Sequence, residues 1–556
     1  MTTYSIFKNM DAPKPIDGKN KVVVYCHNLH DGRGDYGHMV QYILKLKEIL
    51  SKPYEIVPIL SVDFCEGESS SVKRDNQRQK SVLQEFKAFC KIHDLEAHTI
   101  ETTKEPKSLF DLREKDQAMI KSHIQKSALC FTIAYGNLLK LIPKELKINH
   151  IECKQLTSGT LNSPLTQATF ERSSEGIHQL PSASMGLLRP SNSTQEKSVY
   201  GLRLEEAVKL KVDRVKKMYA FKSSKGKLLI EKLVGKRYTT QMIEDYFETY
   251  KLMPGYPQNA FGATHFLLTG LLKNMDEGIL QKNCDFFVPK GAVEVNVLTE
   301  MLKKFDIHTN VTMVTPETEE LICSSGEIKS QEDKTVRIFS GFYLDDQEIK
   351  DIMLIRNDIG MGSGDNTILQ VLSSSELPYF QQKDTAPGLF LEEELLYTIE
   401  YVFKEQISDP VLQDDFDDLI KYLRLNIDRK QGFVGDNIML LGGLGFDENQ
   451  KEYFDLLSEE KSSGMYSELF ETFSKGIREM AMLAAKPGTQ KAWRAVHERL
   501  VKEYDYNQNF KAICNGALYL SHPNPKLSIH NKDLPSPEEF KSLIKEPARA
   551  SKKKRI

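Results

Sequence analysis

The sequence predicts an α/β protein with two separate regions of parallel sheet. Short apolar runs typical of buried strands, such as KVVVYCH at 21–27, alternate with longer segments in which apolar residues recur at a helical period. This alternation ends near residue 154 and resumes near residue 260, after a charged segment of helical pattern. Strands that alternate with helices are typical of parallel sheets with helices on both faces.

The first region is predicted to contain five strands and three helices, followed by a loop and a helical insertion. The stretch 155–195 is rich in Ser, Thr, Pro and Gly, which indicates a long loop, and the charged residues 201–255 indicate helices. The predicted strands are 21–27, 54–62, 96–100, 128–134 and 148–153, and the predicted helices are 36–50, 78–93 and 109–125.

The second region repeats the alternation and ends in helices. MLIRND at 353–358 is predicted as a strand, and IGMGSGDN at 359–366 as the Gly-rich loop that follows it. His265 and Trp493 lie in amphipathic helical patterns and are expected in the core. The predicted domains are 1–200, a helical insertion at 201–258, a second α/β domain at 259–405, a mainly helical region at 406–535 and a flexible basic tail at 536–556.

Composition excludes several classes of protein. The net charge of -3 gives no overall attraction to nucleic acid or anionic membrane, and no apolar run reaches the roughly 18 residues of a transmembrane helix. The first 21 residues lack the apolar core of a secretory signal peptide. The eight cysteines are dispersed, without the spacing of metal ligands, so we expect reduced thiols, no metal site and a cytoplasmic protein.

The segment HDGRGDYGH at 30–38 follows the first predicted strand directly. Ligands of open α/β sheets bind at the carboxyl ends of strands, where this segment is expected to lie. Its glycines would let a substrate approach the backbone, and a carboxylate flanked by His30 and His38 would serve as a general base. Asp and Gly also dominate turns, so the alternative is that Asp35 only caps the next helix.

The segment GMGSGDNT at 360–367 is the second candidate site. Gly362, Ser363 and Gly364 precede Asp365, which starts a predicted helix. Free backbone N–H groups at a helix N-terminus favour a phosphate, and the Asp, Asn and Thr side chains at 365–367 would hold a hydroxyl or a pyrophosphate oxygen. The alternative is a Gly-rich turn with Asp365 as its helix cap.

Together these loops resemble the paired motifs of GT-B glycosyltransferases, most closely the bacterial protein-arginine rhamnosyltransferases. That family carries a D-x-x-G-D-x-G loop in its first domain and a Gly-Glu-Asp-Ser-type loop in its second. The chain is also similar to GT-B-like proteins of intracellular bacteria, some delivered into host cells. The resemblance covers only the two motifs and the elements between them, and Asp365 and Thr367 depart from the family's Glu and Ser. The matching residues are Asp31, Gly34, Asp35, Gly37, then Gly364, Asp365, Asn366, Thr367, then 376–381.

The resemblance implies two Rossmann-like domains that face each other across a cleft. The first would hold the acceptor and the second a nucleoside diphosphate sugar, which is a co-substrate, with no further cofactor or metal implied. The donor pyrophosphate is expected near 362–367. Arg356 would add a cation at the end of the preceding strand, and the nucleotide would lie near Ser340, Gly341 and Tyr343. The alternatives are a surface salt bridge for Arg356, and a core tyrosine with a capping serine for Tyr343 and Ser340.

The resemblance also assigns roles on the acceptor side. Asp35 is the first choice and Asp31 the second for a base that activates the acceptor, and His38 would orient it, although a structural His38 is the alternative. The acceptor stays open among proteins, lipids and glycans. The expected compartment is the bacterial cytoplasm, or the host cytoplasm if the protein is exported.

Two other functional classes compete with glycosyl transfer. A non-hydrolysing nucleotide-sugar epimerase would use the same nucleotide loop with two acid/base groups on opposite faces of the sugar. A non-catalytic binding protein would keep the fold without the chemistry, because a fold does not establish a function.

Overall fold

The computed structural model describes the secondary structure of a defined set of residues. The described residues are 11–16, 18–29, 34–50, 54–104, 106, 108–133, 138–141, 148–154, 167–172, 180–184, 199–200, 213–257, 260–277, 279–323, 334–363, 365–381, 391, 395–396, 399–400, 410–427, 464–503, 510–511 and 514–518.

Residue contacts divide the chain into two units, Met1–Arg203 with Tyr504–Ile556, and Leu204–Glu503. The first unit contains an eight-stranded sheet of order β3-β2-β1-β4-β5-β6-β7-β8, in which β1 to β5 are parallel and β6 is antiparallel to both its neighbours. Its strands are β1 (Lys21–Asn28), β2 (Glu55–Asp63), β3 (His98–Thr102), β4 (Ser127–Ile133), β5 (Asn149–Lys154), β6 (Gln167–Arg172), β7 (Leu180–Ser184) and β8 (Val199–Tyr200).

The helices of the first unit are α1 (Gly34–Ile49), α2 (Ser70–Ile92) and α3 (Glu114–Gln125). Strand β1 is buried on both faces, which explains why it reads as a continuous apolar run rather than an alternating one. Helix α2 begins after Ser69, whose hydroxyl accepts a hydrogen bond from the Val72 N–H and so satisfies one free donor of the first turn.

The second unit has a sheet of order β14-β13-β15-β12-β9, in which only β14 is antiparallel to its neighbour. A parallel bridge between Gly255 and Met361 continues this sheet into the parallel pair β16-β17. The strands of the second unit are β9 (Tyr250–Pro254), the separate short pair β10 (Met275–Asp276) and β11 (Ile279–Leu280), β12 (Asn283–Val288), β13 (Asn310–Val314), β14 (Glu319–Cys323), β15 (Thr335–Ser340), β16 (Gly360–Gly362) and β17 (Pro378–Phe380).

Ten described helices belong to the second unit. His265 and Trp493 are buried, as predicted, and the Trp493 indole N–H donates to the Ser374 carbonyl at 3.3 Å. The helices are α4 (Arg214–Tyr219), α5 (Ser224–Val234), α6 (Thr240–Thr249), α7 (Ala260–Lys273), α8 (Val295–Lys304), α9 (Asp346–Ile355), α10 (Asp365–Leu372), α11 (Pro410–Ile427), α12 (Gly464–Ala485) and α13 (Pro487–Glu503).

The predicted α/β class with parallel sheets is confirmed, but three local predictions are wrong. Strands β6 and β7 lie within the stretch 155–195 that was expected to be a loop, and strand β9 lies within the expected helical insertion. The predicted strand 353–358 is the end of helix α9, and the strand is Gly360–Gly362 instead. Short apolar runs do not distinguish a helix end from a buried strand, which explains the last error. The five predicted domains stay predictions.

Within the described part of the chain, no helix combines the length and the apolar character needed to cross a membrane.

Candidate functional site

The first candidate site lies where the strand order of the first unit reverses. The chain runs from β1 through β2 to β3 on one side, and then adds β4 and β5 on the other side of β1. Such a switch point leaves a crevice at the carboxyl ends of the two central strands, where open α/β sheets bind ligands. The segment 30–38 leaves the carboxyl end of β1 at this point. Asp31 lies outside the described residues.

Asp35 lies in the first turn of α1, where a carboxylate interacts favourably with the helix dipole. Its side chain is only 6% exposed, and its Oδ2 accepts from the Leu29 N–H at a long 3.4 Å. Its main-chain carbonyl accepts from the Cys26 thiol at 3.5 Å. Asp35 therefore supports the start of the helix, which is close to the alternative role considered from the sequence. Its role as a base stays a prediction.

A buried amide network that the sequence did not reveal holds both ends of this loop. The Asn28 amide N–H donates to Gln79 Oε1 at 3.0 Å, and Gln79 Nε2 donates to the Leu29 carbonyl at 2.6 Å. Asn28 Oδ1 accepts from the Tyr36 N–H at 3.1 Å, beyond the loop. One available signal was a glutamine at position 79 on the apolar face of α2, three residues before the buried Val82. Satisfied buried networks of this kind impose a single geometry.

Gly34 and Gly37 both lie in helix α1, which begins at Gly34 rather than at the predicted residue 36. A Cβ on Gly37 would meet no atom within 4 Å, so the fold itself does not require glycine there. His38 is 1% exposed in the same helix, and this burial favours the structural role over orientation of an acceptor.

The second candidate site lies at the corresponding point of the second unit. Strand β9 has β12 on one side and, through the Gly255–Met361 bridge, β16 on the other, so the strand order reverses between β9 and β16. Strand β16 leads through the segment 363–364 into helix α10. The motif 360–367 therefore contains the whole of strand β16 and the start of helix α10, at a switch point of the sheet.

In the segment 360–367, the backbone of strand β16 lies in close contact with the backbone of helix α10. A Cβ on Gly362 would lie 2.8 Å from the Thr367 carbonyl oxygen and 2.9 Å from Ile368 Cα, so only glycine lets β16 approach α10 this closely. The Ser363 N–H donates to Thr367 Oγ1 at 3.1 Å, and the Ser363 hydroxyl donates to the Tyr256 carbonyl. Gly364 lies outside the described residues.

Asp365 and Asn366 form the first turn of α10, and only their backbone is described. The N-terminus of this helix presents N–H groups that have no partner within the helix, and its dipole favours negative charge. The adjacent Tyr256, at the end of β9, is 48% exposed and was not identified from the sequence. Its backbone N–H donates to the Met361 carbonyl and its carbonyl accepts from Ser363, so Tyr256 is joined to the segment that leads into α10.

The residues predicted to face the nucleotide follow strand β15. The Ser340 hydroxyl donates to the Pro289 carbonyl at 3.2 Å, which links the carboxyl ends of β15 and β12. Gly341 has a φ of +81°, which favours glycine. Tyr343 is 63% exposed with the Lys225 ammonium group 4.8 Å from its ring centroid. The core tyrosine considered as an alternative is therefore wrong.

Arg356 does not follow a strand, because it ends helix α9. Its side chain is fully buried, and its guanidinium donates to the carbonyls of Met353, Val371 and Glu376. Burial lowers the pKa of Arg356 to about 10, so it stays charged at neutral pH. These contacts hold it inside the fold, and neither the predicted position at a strand end nor the alternative surface salt bridge is correct.

His265 is buried beside the second site and pairs through Nδ1 with the Tyr379 hydroxyl. Burial lowers its pKa to about 3, so the ring is neutral at physiological pH. Among the described residues, no three His, Cys, Asp or Glu side chains are grouped to hold a metal ion.

Comparison with known proteins gives no family for this chain. No protein-family model and no curated protein matches the sequence. Among solved structures, the chain is similar to an alpha-glucosyltransferase (AGT) in complex with UDP, at 9% sequence identity and a TM-score of 0.21. The match covers 82% of this chain and 99% of that chain. A likeness with so low a TM-score carries no argument about the domain arrangement or the activity of this protein.

Proposed function

We propose that this protein is a glycosyltransferase that moves a sugar from a nucleoside diphosphate sugar to an acceptor, with its two sheets in two Rossmann-like domains of GT-B type. The supporting observation is the shared position of the two motif segments. The segment 30–38 begins at the carboxyl end of β1, and the segment 360–367 contains β16 and leaves its carboxyl end. Both strands border the switch point of their own sheet, and both segments lead into a helix. Open α/β sheets bind their ligands at this position.

The proposed donor site is the N-terminus of α10. The pyrophosphate would bind the N–H groups of the first turn, where Thr367 adds a hydroxyl group next to the Ser363 backbone. Asp365 is a shorter acid than the glutamate of the similar family, and its proposed partner is a ribose hydroxyl. Tyr256 would stack against the nucleobase, with Ser340, Gly341 and Tyr343 on the nucleotide side of the same sheet edge.

The proposed chemistry is an inverting displacement. The Asp35 carboxylate, or Asp31 in its place, takes the proton of the acceptor nucleophile, while the buried His38 keeps the structural role that its burial favours. The nucleophile forms a bond to the anomeric carbon, while the bond from that carbon to the phosphate oxygen breaks and leaves its electron pair on the nucleoside diphosphate. The N-terminus of α10 stabilises the charge of this leaving group, so the scheme requires no metal.

A nucleotide screen tests the donor site. We expect one of UDP, GDP, TDP and CMP, or a sugar derivative of it, to raise the melting temperature of the wild type, because a ligand of the native state stabilises it by mass action. The shift should disappear in Asp365→Ala. It should persist in Asp345→Ala, which removes another helix-terminal aspartate, the cap of α9, from the same unit. A screen without any shift would contradict the donor assignment.

The base is tested by turnover with the identified donor. We expect Asp35→Asn to lower kcat by about 10²–10⁴-fold, the range typical of general base catalysis, with unchanged nucleotide affinity. Mass analysis of the products separates the other classes. An epimerised sugar nucleotide would indicate an epimerase, and nucleotide binding without turnover, with cellular activity kept in Asp35→Ala, would indicate a binding protein.

A further inference from the structure

The second unit has a polar cavity at the edge of its sheet opposite to the proposed donor site. Its volume is about 360 Å³, within the size range of small-molecule sites. Lys251 lies near the start of β9, Asp358 just before β16 and Glu376 just before β17, so the cavity opens at the amino ends of these strands. The segment 362–367 lies at their carboxyl ends and does not line it.

Positive charge predominates in the cavity. Four cations line it, namely Arg214, Lys251, Lys273 and Arg494, against two carboxylates, Asp358 and Glu376, which leaves a net charge of +2. These cations come from positions far apart in the chain, on helices α4, α7 and α13 and on strand β9. A cavity that gathers like charges from four elements is costly to build unless an anion compensates them.

Both carboxylates already have partners. Lys273 Nζ lies 2.5 Å from Asp358 Oδ1, and Arg214 Nη2 lies 2.6 Å from Glu376 Oε1. Arg494 Nη2 is 3.8 Å from Glu376 Oε2, too far for a hydrogen bond. Arg494 therefore keeps donors for a further acceptor.

Lys251 is the cation without a partner. Its ammonium group forms no hydrogen bond and no ion pair within 4 Å with any residue that the structure describes, although it interacts electrostatically with Asp358. Burial lowers the pKa of Lys251, although Asp358 opposes this effect. The Gln490 Oε1, which also belongs to a cavity residue, is buried and has no hydrogen-bond partner among the described residues. The Gln490 oxygen needs a donor, such as the single P–O–H group of a monoprotonated phosphate, whereas the Lys251 ammonium group needs an acceptor.

We propose that this cavity binds a small phosphate-bearing anion, at a site separate from that of the sugar nucleotide. A phosphate dianion matches the net charge of +2. It also accepts hydrogen bonds from several directions, as the Lys251 ammonium group and the Arg494 guanidinium require.

Binding of inorganic phosphate, pyrophosphate and citrate to the full chain tests the proposal, with chloride at equal ionic strength as reference. We expect phosphate or pyrophosphate to raise the melting temperature saturably and to bind in calorimetry. Lys251→Met should weaken binding by about tenfold or more, the loss typical of one charge-assisted hydrogen bond. Arg494→Gln should also weaken binding. Lys303→Met, which changes an exposed lysine outside the cavity, should not.

Three results would overturn the proposal. The first is binding that neither Lys251→Met nor Arg494→Gln weakens, or no shift beyond that of chloride. The second is loss of phosphate binding in Asp365→Ala, which would assign the anion to the α10 N-terminus. The third is binding of citrate alone, which would assign a carboxylate ligand. Should Lys251→Met fail to fold, Arg494→Gln still decides the question, because Arg494 is 58% exposed.

Discussion

The motif segments 30–38 and 360–367 are held at the switch points of their sheets by different physical means. In the first unit, side-chain amides of Asn28 and Gln79 hold the ends of the loop through buried hydrogen bonds. In the second unit, Gly362 lets strand β16 contact the backbone of helix α10 directly. The first segment is therefore positioned by hydrogen bonds of a few side chains. The second is positioned by close backbone packing, which requires that residue 362 has no side chain. Substitutions that add a methyl group to a glycine, or that remove a hydrogen-bonding side chain, should therefore affect the two segments differently.

The largest effect is expected for Gly362→Ala. The new Cβ would lie 2.8 Å from a carbonyl oxygen and 2.9 Å from backbone N and Cα atoms, none of which can move as a flexible side chain does. We expect the free energy of unfolding, measured by urea denaturation, to fall by about 3 kcal/mol, the upper part of the usual range for overpacking.

Gly37→Ala is the matched control, because it is a glycine of the other motif segment with no atom within 4 Å of the new Cβ. Alanine is favoured over glycine inside a helix, so this variant should gain about 0.5–1 kcal/mol of stability. A loss of similar size in both variants would contradict the contrast between the two edges.

The amide network is tested by Gln79→Met, which keeps the length of the side chain and removes its hydrogen bonds. The Asn28 amide and the Leu29 carbonyl would then lack these buried partners, and we expect a loss of about 2 kcal/mol. Gln241→Met, at an exposed position of α6, should change the stability by less than about 0.5 kcal/mol. A tolerated Gln79→Met would mean that other contacts hold the loop.

Acidification is expected to have a smaller effect per residue than Gly362→Ala or Gln79→Met. Burial lowers the pKa of His265 to about 3 and that of His497 to about 4, from an ordinary value of 6.5. The unfolded chain binds protons below pH 6.5 while the native histidines stay neutral, so stability should be lost as the pH falls from 6.5 toward 4.

Between pH 7.5 and pH 5.5 each histidine should account for about 1.4 kcal/mol of this loss. Urea unfolding of His497→Gln at both pH values should show a smaller loss than the wild type. An equal loss in both proteins would show that His497 is protonated in the native state.

Local patterns in the sequence were enough to predict most of the parallel strands of both units, but not β9 or β16. Buried parallel strands are continuous apolar runs, and amphipathic helices repeat every 3.6 residues, so KVVVYC and the helix after it can be identified without knowing their neighbours. The same reasoning fails at 353–362. A strand followed by a loop was expected there, but the apolar residues end a helix and the glycine-rich residues 360–362 form the strand. There, packing against α10 outweighs the weak strand preference of glycine.

Features that depend on residues far apart in the chain were not accessible from local patterns. The order of the strands places the segments 30–38 and 360–367 at switch points, and burial turns Arg356 from an expected phosphate ligand into a buried donor to three carbonyls. The cationic cavity joins Arg214, Lys251 and Arg494 across 280 positions of sequence. The sequence alone thus specified the elements and their chemistry-bearing residues, because periodicity and composition are local. Their pairing, burial and charge balance emerged from long-range contacts, which no local pattern encodes.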